Sequence, residues 1–380
     1  MLPAAVDSWL TALREFGTLT LAEVAAPAIS LADEGFIVYS FLHGNLDAVA
    51  DRMAQWPSTA NVYMPNGHVP SVGDLFVQRD LANMLRMLVD AEEGARHQGR
   101  DAAITAARDR FYKGDIAERT AAFIQEEGGF ITLDDLRNFN VDIETPVSAS
   151  YRGHDVYACR PWCQGPVVPQ TMAILDGYNL SEMGQGSTDV YHVILEALKA
   201  SFADREHYYG DPKFVDVPVN GLLDAGYAAT WRDRISLQRA SPGMPEPGNP
   251  WNFEGRGEAS RRREWTQPAT ISSPLPSDTS YLCVIDREGN AFSATPSDVI
   301  GATPIVPGLG YLVSGRGPQS WLDPDHPSSV APGKRPRLTP RGCYALSIIF
   351  DTLTAWTLEQ LATPIRVTSA MKNGPLWPPT

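Results

Sequence analysis

Cysteine is scarce in this sequence, with four (Cys159, Cys163, Cys283, Cys343) in 380 residues. That is too few for a disulfide framework at this length. Cys159 and Cys163 are close enough to be half of a metal site. No second Cys/His pair follows at zinc-finger spacing, so they read as ordinary thiols, and Cys283, inside a strand pattern, reads as a small buried hydrophobe. There is no Gly-rich phosphate loop and no cluster of metal-ligating residues, so no cofactor, nucleotide or metal is expected. Positive charge is also short. Lys and Arg number 31 against 45 Asp and Glu, a net charge of −14, which excludes nucleic acid and anionic membranes as partners. The one basic block, Arg261-Arg262-Arg263, reads as a solvated loop cluster. No apolar run reaches membrane-spanning length, and the opening "MLPAAVDSWLTALREFG" has no basic n-region. Localisation is therefore open. The sequence as given reads as cytoplasmic, and as periplasmic or secreted where a leader precedes it.

What is present is an ordinary globular composition, 43% hydrophobic and 20% charged, long enough for one large or two smaller domains. Helical periodicity covers Asp7–Phe16, Leu21–Glu34, Leu75–Gly94, Ala102–Phe111 and Ile116–Glu127, with Gly17 and Gly35 as stops and Thr132 as the N-cap of a further helix. From Val147 the pattern alternates with period two around a turn, as in a hairpin. A second helical block carries an apolar stripe of Val190, Ile194, Leu195, Leu198 and Phe202. His192 and His207, on or near it, have no assigned role. Residues 240–276 turn to Pro, Gly and charge and read as a mobile linker. Two strands, Thr279–Asp286 and Ala291–Thr295, follow around a turn with Gly289 at positive φ. No internal repeat is visible.

The junction "SDTSYLCVID" raises a chemical question, because a slack loop ends where a strand begins on a threonine. A Thr hydroxyl is a weak nucleophile that needs a base within hydrogen-bond reach. As the first residue of a chain it has its own α-amine for that purpose, and such an amine titrates near pH ~8. A chain of this kind first cuts itself. A loose segment before the threonine and a rigid strand after it suit that step, although Asp-Thr alone is a common dipeptide.

The surrounding segments are more specific. "PAAVDSWLTALREFG", "LAEVAAPAISLADEGF", "RFYKGDIA", "GGFITLDDL", "YRGHDVYACRPWCQG", "EALKASFADREHYYGDPKFVDVPVNGLL", "DTSYLCVIDREGNAFSAT", "VPGLGYLVSGRG" and "APGKRPRLTP" occur in that order. Together they resemble the γ-glutamyltransferase (γ-glutamyltranspeptidase) family of N-terminal nucleophile hydrolases, from about residue 3 to residue 340. The resemblance implies an α+β fold, a four-layer αββα sandwich. It implies self-cleavage between Asp278 and Thr279, with Thr279 as nucleophile. A large-subunit region, 1–278, and a small-subunit region, 279–380, would stay associated. Thr295 and Ser297 match the hydroxyl that bonds the nucleophile and its amine, Ser297 more closely. Val299, Arg316 and Gln319 stand where the family holds the substrate's α-ammonium group, and the carboxylate expected there is missing. Leu338 and Thr339 stand at the family's paired serines, so Arg316, Gln319 and Thr339 are the implied substrate-binding residues. Gln164 and Gly165 lie in a matching segment read as scaffold, Gly165 in a turn.

The implied activity is cleavage of γ-glutamyl (glutathione-type) or related acyl amides, small-molecule substrates, through a threonine acyl-enzyme. The alternatives are a cephalosporin-acylase-like amidohydrolase and a truncated, inactive family fragment. A binding module has no supporting motif. The fold is expected to be incomplete at both ends. The family's segment before "AVDSW", with core strands and an arginine that binds the α-carboxylate, has no counterpart here. After Pro340 the family's Gly-Gly oxyanion loop is not found, and the tail reads as unrelated sequence, as a frameshift would produce.

Overall fold

The computed structural model describes residues 1–255 and 280–339, together with the backbone of two further strands, Cys343–Ile349 and Thr352–Trp356. The chain forms two compact units, each of which interleaves distant segments. Among the described residues the first takes in Met1–Glu144, residue 280 and Pro296–Pro318, and the second takes in residues 145–255, Tyr281–Thr295 and those from 319 onward.

The first unit is mainly helical. Its helices include α1 (Ala5–Phe16), α2 (Leu21–Glu34), α3 (Arg79–Ala95), α4 (Arg100–Tyr112), α5 (Asp115–Glu126) and α6 (Leu133–Arg137). Local chemistry sets several boundaries. Thr20 and Glu23 form a capping box on α2, and Thr132 and Asp135 form one on α6, each satisfying two amides that the first helical turn leaves free. The periodicity at Leu75 proves to be a short strand followed by a helix. β1 (Phe36–Ile37) pairs with β2 (Leu75–Phe76), and α3 starts at Arg79. Asp7 of the "AVDSW" motif is 1% exposed. It accepts from Arg108 Nε at 2.5 Å and from the Val141 amide at 2.8 Å, so a buried ion pair ties α1 to α4. Val306, Leu309 and Val313 pack into the same apolar core as Leu10, Leu88 and Phe111. Residues from beyond position 279 are thus part of a core otherwise built from the first 140.

In the second unit β3 (Val147–Tyr151) and β4 (His154–Ala158) form the expected hairpin. Its turn places Arg152 at φ 50° and Gly153 at φ 79°, the paired positive φ of a two-residue turn whose twist suits a hairpin. β7 (Cys343–Ile349) pairs with β4, and β8 (Thr352–Trp356) with β7, making a four-stranded antiparallel sheet. Helices α7 (Val167–Leu175), α8 (Thr188–Tyr208) and α9 (Ala225–Arg234) pack in this unit. The expected α8 stripe faces the core, with Val190 buried and Ile194, Leu198 and Phe202 packed partly buried against it, beside the buried Val193, Ala197 and Ala200. Of the five expected residues Leu195 is the exception, 55% exposed at the edge of that face. The start of the expected linker is not a tether. Ser241 N donates to Glu196 Oε1 (3.2 Å), Gly248 N to Asp204 Oδ1 (2.9 Å), and Gly221 N to the buried Glu254 (2.6 Å). The remainder of that stretch, from residue 256, lies outside the described residues.

Candidate active site

β5 (Leu282–Ile285) and β6 (Ala291–Ala294) pair antiparallel, shorter than the two expected strands. Asp286 closes their turn by accepting from the Asn290 amide at 2.8 Å, with Gly289 at φ 89°. The hairpin is not sunk in a core, since all four β5 residues are exposed, Cys283 among them. Cys283 is therefore not the buried hydrophobe its strand pattern suggests. Alternation alone does not say whether either face is covered.

Asp278 and Thr279 lie outside the described residues, but the residue that follows them is placed. In the first unit, Ser280 N donates to the Pro296 carbonyl at 3.2 Å. The chain just after the candidate nucleophile therefore pairs with the chain just before Ser297. The Ser297 hydroxyl accepts from Arg316 Nη2. Asp298 clamps this loop, its Oδ1 accepting from Val299 N (2.8 Å) and Gly315 N (3.0 Å) and lying 4.0 Å from Arg316 Nε. The Arg316 side chain is 12% exposed, so its charge is held against a neighbouring carboxylate. Reading the sequence for a carboxylate at the substrate positions passed over Asp298. Its only signal was adjacency to Ser297.

The other candidates lie in the second unit. Thr295 Oγ1 is buried without a hydrogen-bond partner among the described residues, as is Gln319 Oε1. Gln319 Nε2 donates to Thr339 Oγ1 at 3.4 Å. The segment carrying Thr339 is fastened by charge. Arg335 donates to Asp211 through Nη2 (2.9 Å) and Nε (3.2 Å), and Arg337 Nη2 lies 2.9 Å from both oxygens of Glu206. Burial opposes ionisation of Glu206, yet Arg337 and Arg205 hold its carboxyl below the ordinary value. Burial, aided by Arg205 and resisted by Glu206, brings the Arg337 guanidinium down to about 10.

Two neighbouring residues complete this arrangement. Gln164 is 5% exposed, and its side chain donates to the Thr339 carbonyl. A Cβ at Gly165 would lie 2.3 Å from the Cys159 carbonyl oxygen, so glycine is required by close backbone approach. Gly165→Ala is expected to cost about 1–3 kcal/mol, read as a lower urea midpoint for the full chain.

The family model for Gamma-glutamyltranspeptidase matches residues 2–343. The chain belongs to the gamma-glutamyltranspeptidase family. It is 33% identical over 335 residues to the glutathione hydrolase-like YwrD proenzyme of Bacillus subtilis (strain 168), covering 88% of this chain and 56% of that protein. It is also 33% identical over 336 residues to the acylase ACY 1 proenzyme of Pseudomonas sp. (strain SE83), covering 88% and 53%. Among solved structures, the cephalosporin acylase from Bacillus halodurans matches with a TM-score of 0.74 and 28% identity, over 92% of this chain and 58% of that one. The fold is thus that of the family's N-terminal nucleophile hydrolases, and the chain spans about half the length of the curated relatives it matches. Among the described residues no group of three or more His, Cys, Asp or Glu is arranged to hold a metal ion, and no helix is long and apolar enough to cross a membrane.

Proposed function

We propose that this member of the gamma-glutamyltranspeptidase family belongs to a self-processing amidohydrolase in which Thr279 is the nucleophile. The observation that carries this reading is the pairing of Ser280 with Pro296, beside a Ser297 whose hydroxyl is already held by Arg316. In the first step Thr279 Oγ attacks the Asp278 carbonyl carbon. The acyl group passes from nitrogen to oxygen, and water hydrolyses the ester. This leaves a carboxylate on Asp278 and a free α-amine on Thr279. In turnover that amine takes the Thr279 hydroxyl proton as Oγ attacks the substrate amide, and returns it to the leaving amine. Water then releases the acyl group. Ser297 bonds the nucleophile and its amine, with Thr295, two residues before it, as the other candidate hydroxyl. The two products of cleavage, residues 1–278 and those from 279 on, stay associated as large and small subunits. Each compact unit draws segments from both sides of the cut, which supports this.

On the substrate side, Gln319, Thr339 and the Arg316–Asp298 pair are the proposed contacts. The Asp298 carboxylate is already opposed by Arg316, beside its Oδ1, so an added substrate cation beside that guanidinium is disfavoured. This favours acyl amides without a free α-ammonium over glutathione-type γ-glutamyl amides. The test compares γ-glutamyl anilide with its deamino analogue, glutaryl anilide. The analogue is expected to show a kcat/KM at least ~10-fold higher, a difference of about 1.4 kcal/mol. A preference for the γ-glutamyl compound would overturn the assignment.

A further inference from the structure

We propose that Gln164 is a positioning residue for Thr339, setting the substrate-facing geometry of a side chain that the reaction itself does not alter. The assignment rests on the proposed function, in which Thr339 contacts substrate.

The argument starts from what a buried primary amide can do. It has one acceptor end and one donor end, and both must be used when it is removed from water. Gln164 uses both within the second unit. Its Oε1 accepts from Arg205 Nη1 at 2.6 Å, and its Nε2 donates to the Thr339 carbonyl. Its backbone amide donates to the Leu338 carbonyl at 3.0 Å, and Leu338 N donates back to the Trp162 carbonyl at 3.2 Å, a short parallel bridge between the two segments. Two consecutive carbonyls, of residues 338 and 339, are thereby fixed from one residue. With its backbone held in this way, Thr339 presents Oγ1 to Gln319 Nε2 at 3.4 Å. Accepting there leaves its own hydroxyl proton to be donated elsewhere, and Thr339 is exposed.

The far end of the amide is anchored just as firmly. Arg205 also bonds Glu206, which pairs with the buried Arg337 two residues before Thr339. Gln164 therefore closes a ring of polar contacts that returns to the segment it positions. No other side chain of similar size replaces it. Glutamate keeps the acceptor for Arg205 but has no proton for the Thr339 carbonyl when ionised. Methionine fills the volume and offers neither end.

The discriminating variant is Gln164→Glu, made in the full chain with Thr339→Ala and the double variant, and assayed on glutaryl anilide. If Gln164 positions Thr339, Gln164→Glu raises KM at least ~10-fold with kcat within ~3-fold, while cleavage after Asp278 proceeds as in the parent chain. Thr339→Ala, an exposed substitution that does not threaten folding, raises KM to a similar extent. The double variant shows no further loss, the non-additivity expected of two residues acting as one. If Gln164 only supports Arg205, Gln164→Glu keeps that contact and the parent KM, which overturns the assignment and leaves the proposed function standing. An unchanged KM in Thr339→Ala overturns it as well, even if Gln164→Glu fails to fold. A parent chain that neither cuts itself nor hydrolyses the anilide overturns the proposed function, and this assignment with it.

Discussion

Thr279→Ala is expected to leave the chain as a single species of 41.5 kDa, where the parent chain is expected to yield two fragments divided between Asp278 and Thr279. The expected effect is the largest for any single residue here, because in the proposed mechanism one atom serves two reactions. Without Oγ there is no acyl shift, so the α-amine that acts as base is never freed. The variant loses the nucleophile and its base together. Amide turnover should fall by roughly ten thousand- to a million-fold, the scale on which removal of a nucleophile acts in well-characterised hydrolases. Intact-mass spectrometry reads the first effect and anilide hydrolysis the second. Thr279→Ser keeps an Oγ and is expected to cut, more slowly. A fragment boundary at residue 278 that persists in Thr279→Ala would remove Thr279 from the mechanism.

Asp204→Ala is expected to destabilise the second unit by about 4 kcal/mol or more, because it strands several buried donors at once. Asp204 Oδ2 accepts from Gln170 Nε2 (2.6 Å), Tyr227 OH (2.7 Å) and Trp231 Nε1 (3.0 Å), while Oδ1 accepts from Gly248 N (2.9 Å). One carboxylate thereby joins α7, α8, α9 and the chain at residue 248. Urea unfolding of the full chain measures the loss, and a cost below ~2 kcal/mol would show that the four donors find other partners.

The same group makes a signed prediction about pH. Burial pushes the Asp204 carboxyl up to about 6, against the bonds from Tyr227, Gly248, Trp231 and Gln170. A carboxyl with a folded-state pKa above its unfolded value binds protons more tightly when folded. Its contribution therefore grows as pH falls from about 6 toward 3.8, by roughly 3 kcal/mol at most. Glu206 and Asp211 act the other way, their carboxyls being held below the ordinary values despite burial, by Arg337 and Arg205 and by Arg335. What they contribute is present above those ordinary values and lost as pH falls through the depressed ones. The urea midpoint is thus expected to rise between pH 7 and pH 5 and to fall in stronger acid. Asp204→Asn should abolish the rise, and a midpoint that declines steadily from pH 7 in the parent chain would show that Asp204 ionises normally.

Much of the local structure was legible in the sequence because its causes are local. The span of α2 follows from periodicity and a glycine stop, the start of α6 from Thr132 as a cap, and the β3–β4 hairpin from alternation around Arg152-Gly153. The ordered motifs also determined the family, since many short matches in one order are far more specific than any single one. Other readings failed where they depended on what lies across space. Leu195 was placed on the buried stripe of α8 but is exposed, Cys283 was expected inside, and residues 241–254 were read as a tether although three of their polar groups are bound by Glu196, Asp204 and Gly221.

The sequence by itself determined where several helices and the β3–β4 hairpin lie, the family, and which residue types stand at the positions proposed for the nucleophile and the substrate contacts. Only the tertiary structure decided that each of the two units gathers segments distant in sequence, that Arg316 is held between Ser297 and Asp298, that Asp204 gathers four donors, and that Gln164 holds Thr339 from 175 residues away. The physical reason is the range of the forces involved. Capping and alternation act over a few residues and are visible in a short window. Burial, and with it the strength of an ion pair or the pKa of a carboxyl, is set by whatever the whole chain brings around a group.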